Sequence, residues 1–226
     1  MFVIGDAHIK SNKEYIDFIH VVNTLAALDK VVLLGDILDF TKIEVTKLDW
    51  KVKDFVHPNL VYVYGNHDIV APELGIPCYE FYEEGGLRFE HGHRFEARLN
   101  SNFFIQPEEY NNLFRTLCWS KANANKLTHT LWQLKTLITR KVHSNIKYDI
   151  INEMYRYGNM ICAHTHAELF NKATNTLLVD SYVDKKLIYY VEPEKFKRRG
   201  TYDTLSHTGT LKQLRDSAYQ LRHNKS

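Results

Sequence analysis

Five short apolar runs, each followed after one intervening residue by Asp, Asn or His, limit what this chain can fold into. Phe2-Val3-Ile4 runs into Gly5-Asp6-Ala7-His8, and Val31-Val32-Leu33-Leu34 into Gly35-Asp36. Leu60-Val61-Tyr62-Val63-Tyr64 precedes Gly65-Asn66-His67-Asp68, Leu87-Arg88-Phe89 precedes His91-Gly92-His93, and Met160-Ile161-Cys162 precedes His164-Thr165-His166. Runs this short, rich in β-branched and aromatic residues, read as strands of a buried sheet. In open α/β sheets ligands gather at the carboxyl ends of strands. Five strands delivering metal-binding side chains to one edge predict a polynuclear metal site.

Between the first strands lie helical patterns. One covers 12–28, with Ile16, Ile19, Val22 and Leu25 on one face; a second covers roughly 44–56, with Val45, Leu48, Val52 and Phe55-Val56. This is a βαβαβ start with a parallel or mixed sheet. After His93 the pattern turns helical over 107–122, 124–143 and about 148–157, with Pro107-Glu108-Glu109 as a helix start. Strands return near 168–171, 176–180 and 187–191, expected as an antiparallel group. Lys195-Phe196-Lys197-Arg198-Arg199-Gly200 reads as an exposed linker before a last helix near 208–223. The expected organisation is a core domain over 1–191, carrying a helical cap insert at about 94–147 over the metal cleft. Residues 192–226 form a basic linker and a C-terminal helix packed on the core.

The net charge of +2 hides an asymmetry. Residues 1–93 hold 8 Lys and Arg against 15 Asp and Glu, whereas 94–158 hold 10 against 5. Hard cations need carboxylates, and a basic middle segment suits an anionic, phosphorylated substrate. No apolar stretch approaches the roughly 18 residues of a membrane-spanning helix. A cleavable leader would remove Asp6, and the 3 cysteines are widely spaced, so a cytoplasmic protein with reduced thiols is expected.

Two divalent ions roughly 3.5–4 Å apart can clamp a phosphoryl group and generate hydroxide at neutral pH. Such a centre needs one bridging carboxylate and a surrounding mixture of His, Asp and Asn. Asp6 and His8 suit one ion, joined by His166. Asn66, His91 and His164 suit the other, and Asp36, alone after its glycine, is the natural bridge. His67 is free of that inventory and is a candidate to act on the leaving oxygen, with Asp68 orienting it. His20, His57, His129, His143, His207 and His223 are isolated and read as ordinary surface or core residues.

At these positions the chain resembles the calcineurin-like metallophosphoesterase superfamily, whose pattern is Asp-X-His, Gly-Asp, Gly-Asn-His-Asp/Glu, His with Gly, then Gly-His-X-His. The match runs from residue 2 to about 191. The resemblance implies an α/β fold, a four-layer α-β-β-α sandwich with a helical insert, and a centre of two divalent ions, Mn foremost, with Fe, Zn, Ni or Mg as alternatives. It carries Asp6, His8, Asp36, Asn66, His91, His164 and His166 as ligands, His67 as proton donor, and Asp39 as support. Ala163 stands where the family usually has Gly, and His93 is placed beside the ligands or facing substrate.

The reaction expected is hydrolysis of a phosphodiester or pyrophosphate by metal-bound hydroxide, with His67 as general acid. Arg94 and Arg98, nearest His91 in sequence, are candidates to bind substrate. The insert is similar to the cap of UDP-2,3-diacylglucosamine hydrolases, so a peripheral lipid substrate is one option, although those enzymes carry Arg where this chain has His67. Phosphomonoesters or nucleotides and nucleic acids are the alternatives. No groove for nucleic acid is indicated. Protein phosphatases of the family follow Gly-Asp-X-X-Asp-Arg, but here Phe40 follows Asp39. A non-catalytic scaffold of the same fold is disfavoured by the presence of His67.

Overall fold

The computed structural model describes residues 1–101, 107–120 and 146–223. In chain order its elements are β1 (Phe2–Ile4), α1 (Asn12–Ala26), β2 (Val31–Leu34), β3 (Leu60–Val63), β4 (Phe81–Glu84), β5 (Leu87–Glu90), α2 (His93–Ser101) and α3 (Pro107–Ser120). There follow α4 (Ile146–Tyr157), β6 (Met160–Cys162), β7 (Leu169–Asn171), β8 (Thr176–Leu178), α5 (Tyr182–Lys185), β9 (Leu187–Val191), α6 (Pro193–Arg199), β10 (Tyr202–Ser206) and α7 (Leu211–His223).

Two five-stranded sheets result, ordered β10-β9-β1-β2-β3 and β4-β5-β6-β8-β7. The period of two along each strand assigns its side chains to two cores. Phe2, Ile4, Val31 and Leu33 face outward with Phe18, Val22 and Leu25 of α1 and Leu214 and Ala218 of α7. Val3, Val32 and Leu34 face inward and meet Phe89, Ile161 and Leu177 of the second sheet. On the far side, Phe95 of α2 and Ile150, Ile151 and Met154 of α4 cover Met160, Cys162 and Leu178. The layers are therefore helix, sheet, sheet, helix, as expected. Within each sheet the strands that bear the clusters run parallel, β1-β2-β3 and β5-β6, which puts all five carboxyl ends at one edge.

Several local expectations change. The stripe of α1 is Tyr15, Phe18, Ile19, Val22 and Leu25, whereas Ile16 is 54% exposed. Residues 44–56 form no α-helix but two 3₁₀ turns, Val45–Lys47 and Val52–Phe55. Asp49 binds Asn12 through both its side chain (2.7 Å) and its backbone N–H (2.8 Å), and the Lys51 N–H donates to Tyr15 Oη (3.2 Å), so tertiary bonds replace the helical ladder. β9 leaves the expected antiparallel group to pair with β1 in the first sheet. The linker at 195–200 is mostly helix α6, which begins at Pro193 and ends on Gly200 with φ +65°, and its Phe196 is wholly buried between the sheets. The helix expected over 124–143 lies outside the described residues; those expected near 107–122, 148–157 and 208–223 appear as α3, α4 and α7, whereas α2 and α5 have no counterpart in the sequence reading.

Arg94 also departs from its expected place. It ion-pairs with Glu90 at the end of β5 and lies over the rings of Phe95 and Tyr157, at 5.0 and 5.1 Å. Glu90 is only 2% exposed and takes a second bond from Arg88 Nε (2.7 Å). Burial lifts the Glu90 pKa above its ordinary value, and Arg94 and Arg88 only partly offset this. An acid whose pKa rises on folding favours its protonated form there, so the cost of burying its charge appears as pH rises and vanishes as pH falls. Arg94→Ala should therefore lower stability by about 1–3 kcal/mol at about pH 8 and by clearly less at about pH 5. Urea unfolding at both pH values checks this. A loss independent of pH would assign Arg94 to ring packing instead.

Candidate metal centre

The five loops converge as the strand order requires. Three sets of side chains place their ligand atoms within 4.8 Å of one another: Asp6, His8 and His166; Asp36, His91 and His164; and His8, Asp36 and His67. Asp36 Oδ2 lies between two of these sets, 3.5 Å from His91 Nε2 and 3.9 Å from His8 Nε2. That is the position a bridging carboxylate needs. Asp6 Oδ1 lies 3.1 Å from His91 Nε2 and 3.7 Å from His166 Nε2.

The backbone is bent to make this possible. Asp6, His8, Asp36, His164 and His166 all have φ between +45° and +71°. Non-glycine residues rarely adopt the left-handed region, and its concentration at one place is characteristic of functional sites. Gly65 serves close approach instead: a Cβ there would lie 2.1 Å from Asp36 Oδ1 and 2.8 Å from His91 Nδ1. Ala163, in place of the family's usual Gly, is accommodated because Gly5 opposite it has no side chain; a Cβ on Gly5 would come within 2.7 Å of the Ala163 Cβ.

Burial sets the charge states. Asp6, Asp36 and Asp68 are at most 2% exposed. Burial drives Asp36 well above the usual carboxylate range; His8 opposes this, while Asp68 and Asp6 add to it. Burial would also raise Asp6, but its hydrogen bond to His91 and the charge of the neighbouring histidines outweigh it and hold Asp6 low. His91 is pushed down to about 4, chiefly by burial, which keeps its imidazole neutral for ligation. Asn66 is 3% exposed, and its Oδ1 has no hydrogen-bond partner among the described residues. An orphaned amide oxygen in this position is costly unless a cation takes it. The donor set is oxygen and imidazole nitrogen, which suits borderline to hard divalent ions. The residues therefore fit a divalent metal centre.

Each histidine of the metal sets is backed by a further group. His8 Nδ1 lies 3.6 Å from Asp39 Oδ2, His166 Nδ1 3.3 Å from Asp184 Oδ2, and His164 Nε2 2.8 Å from Glu96 Oε2. His93, 4% exposed, has its Nδ1 3.2 Å from His91 Nδ1. Its ring thus lies against that of His91, a candidate ligand. His67 Nδ1 donates to Asp39 Oδ1 (2.8 Å), and Thr41 Oγ1 donates to the same oxygen (2.7 Å).

Asp68 does not orient His67. Its carboxylate instead accepts from the backbone N–H groups of Gly65 (2.6 Å) and Ile37 (2.7 Å) and from Tyr62 Oη (2.5 Å). It ties the β2 loop to the β3 loop, and Asp39 takes the role expected of it. Arg94 is committed to Glu90, and Arg98 is exposed on α2. Glu96 and Asp184 escaped the sequence reading because neither sits at a strand end; they reach the site from α2 and α5.

The family model described as calcineurin-like phosphoesterase matches residues 1–168, an interval that holds every candidate ligand. No curated protein matches the chain. Among the described residues no helix is long and apolar enough to cross a membrane. With its Asp and His clusters gathered at one edge of the sandwich, the chain belongs to the calcineurin-like phosphoesterase family and is a metal-dependent hydrolase of phosphoric esters.

Proposed function

We propose that the protein hydrolyses a phosphodiester or pyrophosphate at a centre of two divalent ions, manganese foremost. Asp6, His8 and His166 would hold one ion and Asn66, His91 and His164 the other, with Asp36 available to both. The observation that carries this reading is the position of Asp36 Oδ2 between His8 and His91, at 3.9 and 3.5 Å. When bound, the ions would supply the positive charge that polarises the phosphoryl group and makes water a nucleophile at neutral pH.

The chain's own part is proton handling and discrimination. His67 Nδ1 is fixed by Asp39, so its Nε2, 3.9 Å from Asp36 Oδ2, is turned to the cleft and can give its proton to the departing oxygen. Asp39 fixes the orientation of that ring, as the carboxylate behind a catalytic histidine does. Phe114 of α3 lies 5.9 Å from the His67 ring, and Cys118 Sγ contacts the His67 carbonyl at 3.4 Å. These contacts support reading this part of the insert as a wall of the cleft on the leaving-group side. Phe40, wholly buried, stands where the protein phosphatases of the family have Arg, and Arg94 is engaged elsewhere. A site without those guanidinium groups suits the single charge of a diester better than the dianion of a monoester. Three free thiols, two of them buried, favour a reducing, cytoplasmic setting.

Three outcomes are expected. Apo-protein reconstituted with Mn²⁺ should bind close to two ions and hydrolyse bis-p-nitrophenyl phosphate faster than p-nitrophenyl phosphate; chelation should abolish both activities. A clear preference for the monoester would overturn the diester reading. Asp36→Asn should lose metal as well as activity. His67→Ala should retain both ions yet lose roughly 10²–10⁴-fold in turnover on an ester with a poor leaving group. An unchanged rate on that ester would remove His67 from the proton-donor role.

A further inference from the structure

We propose that Glu96 is a positioning residue for the metal centre. It fixes the tautomer and tilt of His164 and is itself held by Tyr110, so that a Tyr110–Glu96–His164 chain ties the helices after β5 to the site. The inference rests on the reading of His164 as a ligand.

One carboxylate oxygen carries the whole link. Glu96 Oε2 lies 2.8 Å from His164 Nε2 and 3.0 Å from Tyr110 Oη. A carboxylate oxygen only accepts, so both partners must donate, and Nε2 is the protonated nitrogen of His164. Its Nδ1 is then left with the lone pair an ion requires, and His164 belongs to the set that also contains Asp36 and His91. A carboxylate behind a ligating imidazole also makes it a stronger donor.

The delivery is local. Gly92, with φ +106°, turns the chain immediately after His91, the Phe95 N–H closes on the Gly92 carbonyl at 3.0 Å, and α2 brings Glu96 back within its first turn. His164 itself has φ +71°, a strained backbone that benefits from a second anchor on its ring. Tyr110 of α3 is 5% exposed, and among the described residues its hydroxyl is satisfied by this bond. A residue that served only to hold α2 against α3 would need Tyr110 and not His164.

The test is calorimetric titration of the apo-protein with Mn²⁺ alone. Glu96→Ala should weaken one of the two binding events by roughly 10–100-fold and leave the other unchanged. Glu96→Gln should fall between it and the parent, because an amide oxygen still accepts from Nε2–H but carries no charge. Tyr110→Phe should weaken the same event by less. The double variant Glu96→Ala/His164→Ala should bind like His164→Ala alone, since Glu96 acts through that ring. Should Glu96→Ala not fold, Glu96→Gln and Tyr110→Phe report on the same link. Loss of an ion in His164→Ala with full affinity in the Glu96 variants would overturn the positioning role alone. Full affinity in His164→Ala would overturn the ligand reading, and this inference with it.

Discussion

Three carboxylates, Asp6, Asp36 and Asp68, are buried together where the parallel strands end, and the surrounding architecture makes that burial tolerable. Ionised carboxylates in a low-dielectric interior are unstable unless they are paired, hydrogen-bonded or bound to a cation. Asp68 uses the second solution, taking backbone N–H groups from two loops and the Tyr62 hydroxyl. Asp6 does likewise, with His91 Nε2 at 3.1 Å and the His164 N–H donating at 2.9 Å. Asp36 is left with fewer partners than charge, and its raised pKa expresses that deficit. A divalent metal centre would resolve it, which is why the same edge that is hard to build without metal is suited to holding one.

The sandwich supplies what an isolated set of loops lacks. The cluster between the sheets, with Val3, Val32, Leu34, Phe89, Ile161 and Leu177 wholly buried, fixes how β1, β2 and β3 face β5 and β6. A shift of one residue in any register would turn its apolar set to the wrong face. The distance from Asp6 Oδ1 to His91 Nε2, across the two sheets, is thus set by core packing and not by the loops themselves. The loops contribute local direction, through left-handed φ values at five of the candidate ligands.

What was legible in the sequence follows from which interactions are local. A strand that ends on Gly-Asp or Gly-Asn-His announces its role within a few residues, so the ligand-bearing loops could be read directly. The hairpin of β4 and β5 was also announced, since Gly85-Gly86, with φ +59° and +73°, is a two-residue turn of the kind that joins antiparallel strands, but it went unread. Likewise Pro193 and Gly200 bracket α6 as start and stop signals hidden by the run of basic residues. Other features have no local signature. The pairing of β9 with β1 joins residues far apart in the chain. The apolar spacing over 44–56 imitates a helix, while partners on α1 decide the outcome. Asp39 rather than Asp68 faces His67 because Asp68 is directed into the loop backbone, which spacing alone does not reveal.

The strained loops and the unbalanced charge make the same demand on the fold. Left-handed φ costs of the order of 1 kcal/mol or more per non-glycine residue, with Asp and Asn tolerating it better than His. His8, His164 and His166 therefore hold conformations their own backbones disfavour, and each has a carboxylate behind its ring: Asp39, Glu96 and Asp184. These three carboxylates belong to different parts of the molecule, the β2 loop, α2 and α5. Each ring is consequently held from behind by the scaffold, as a ligand to a cation would have to be. Local geometry is worst at the candidate ligands and best in the strands that lead to them, so the free energy stored at the edge comes from the sheets, and a bound ion would release part of it.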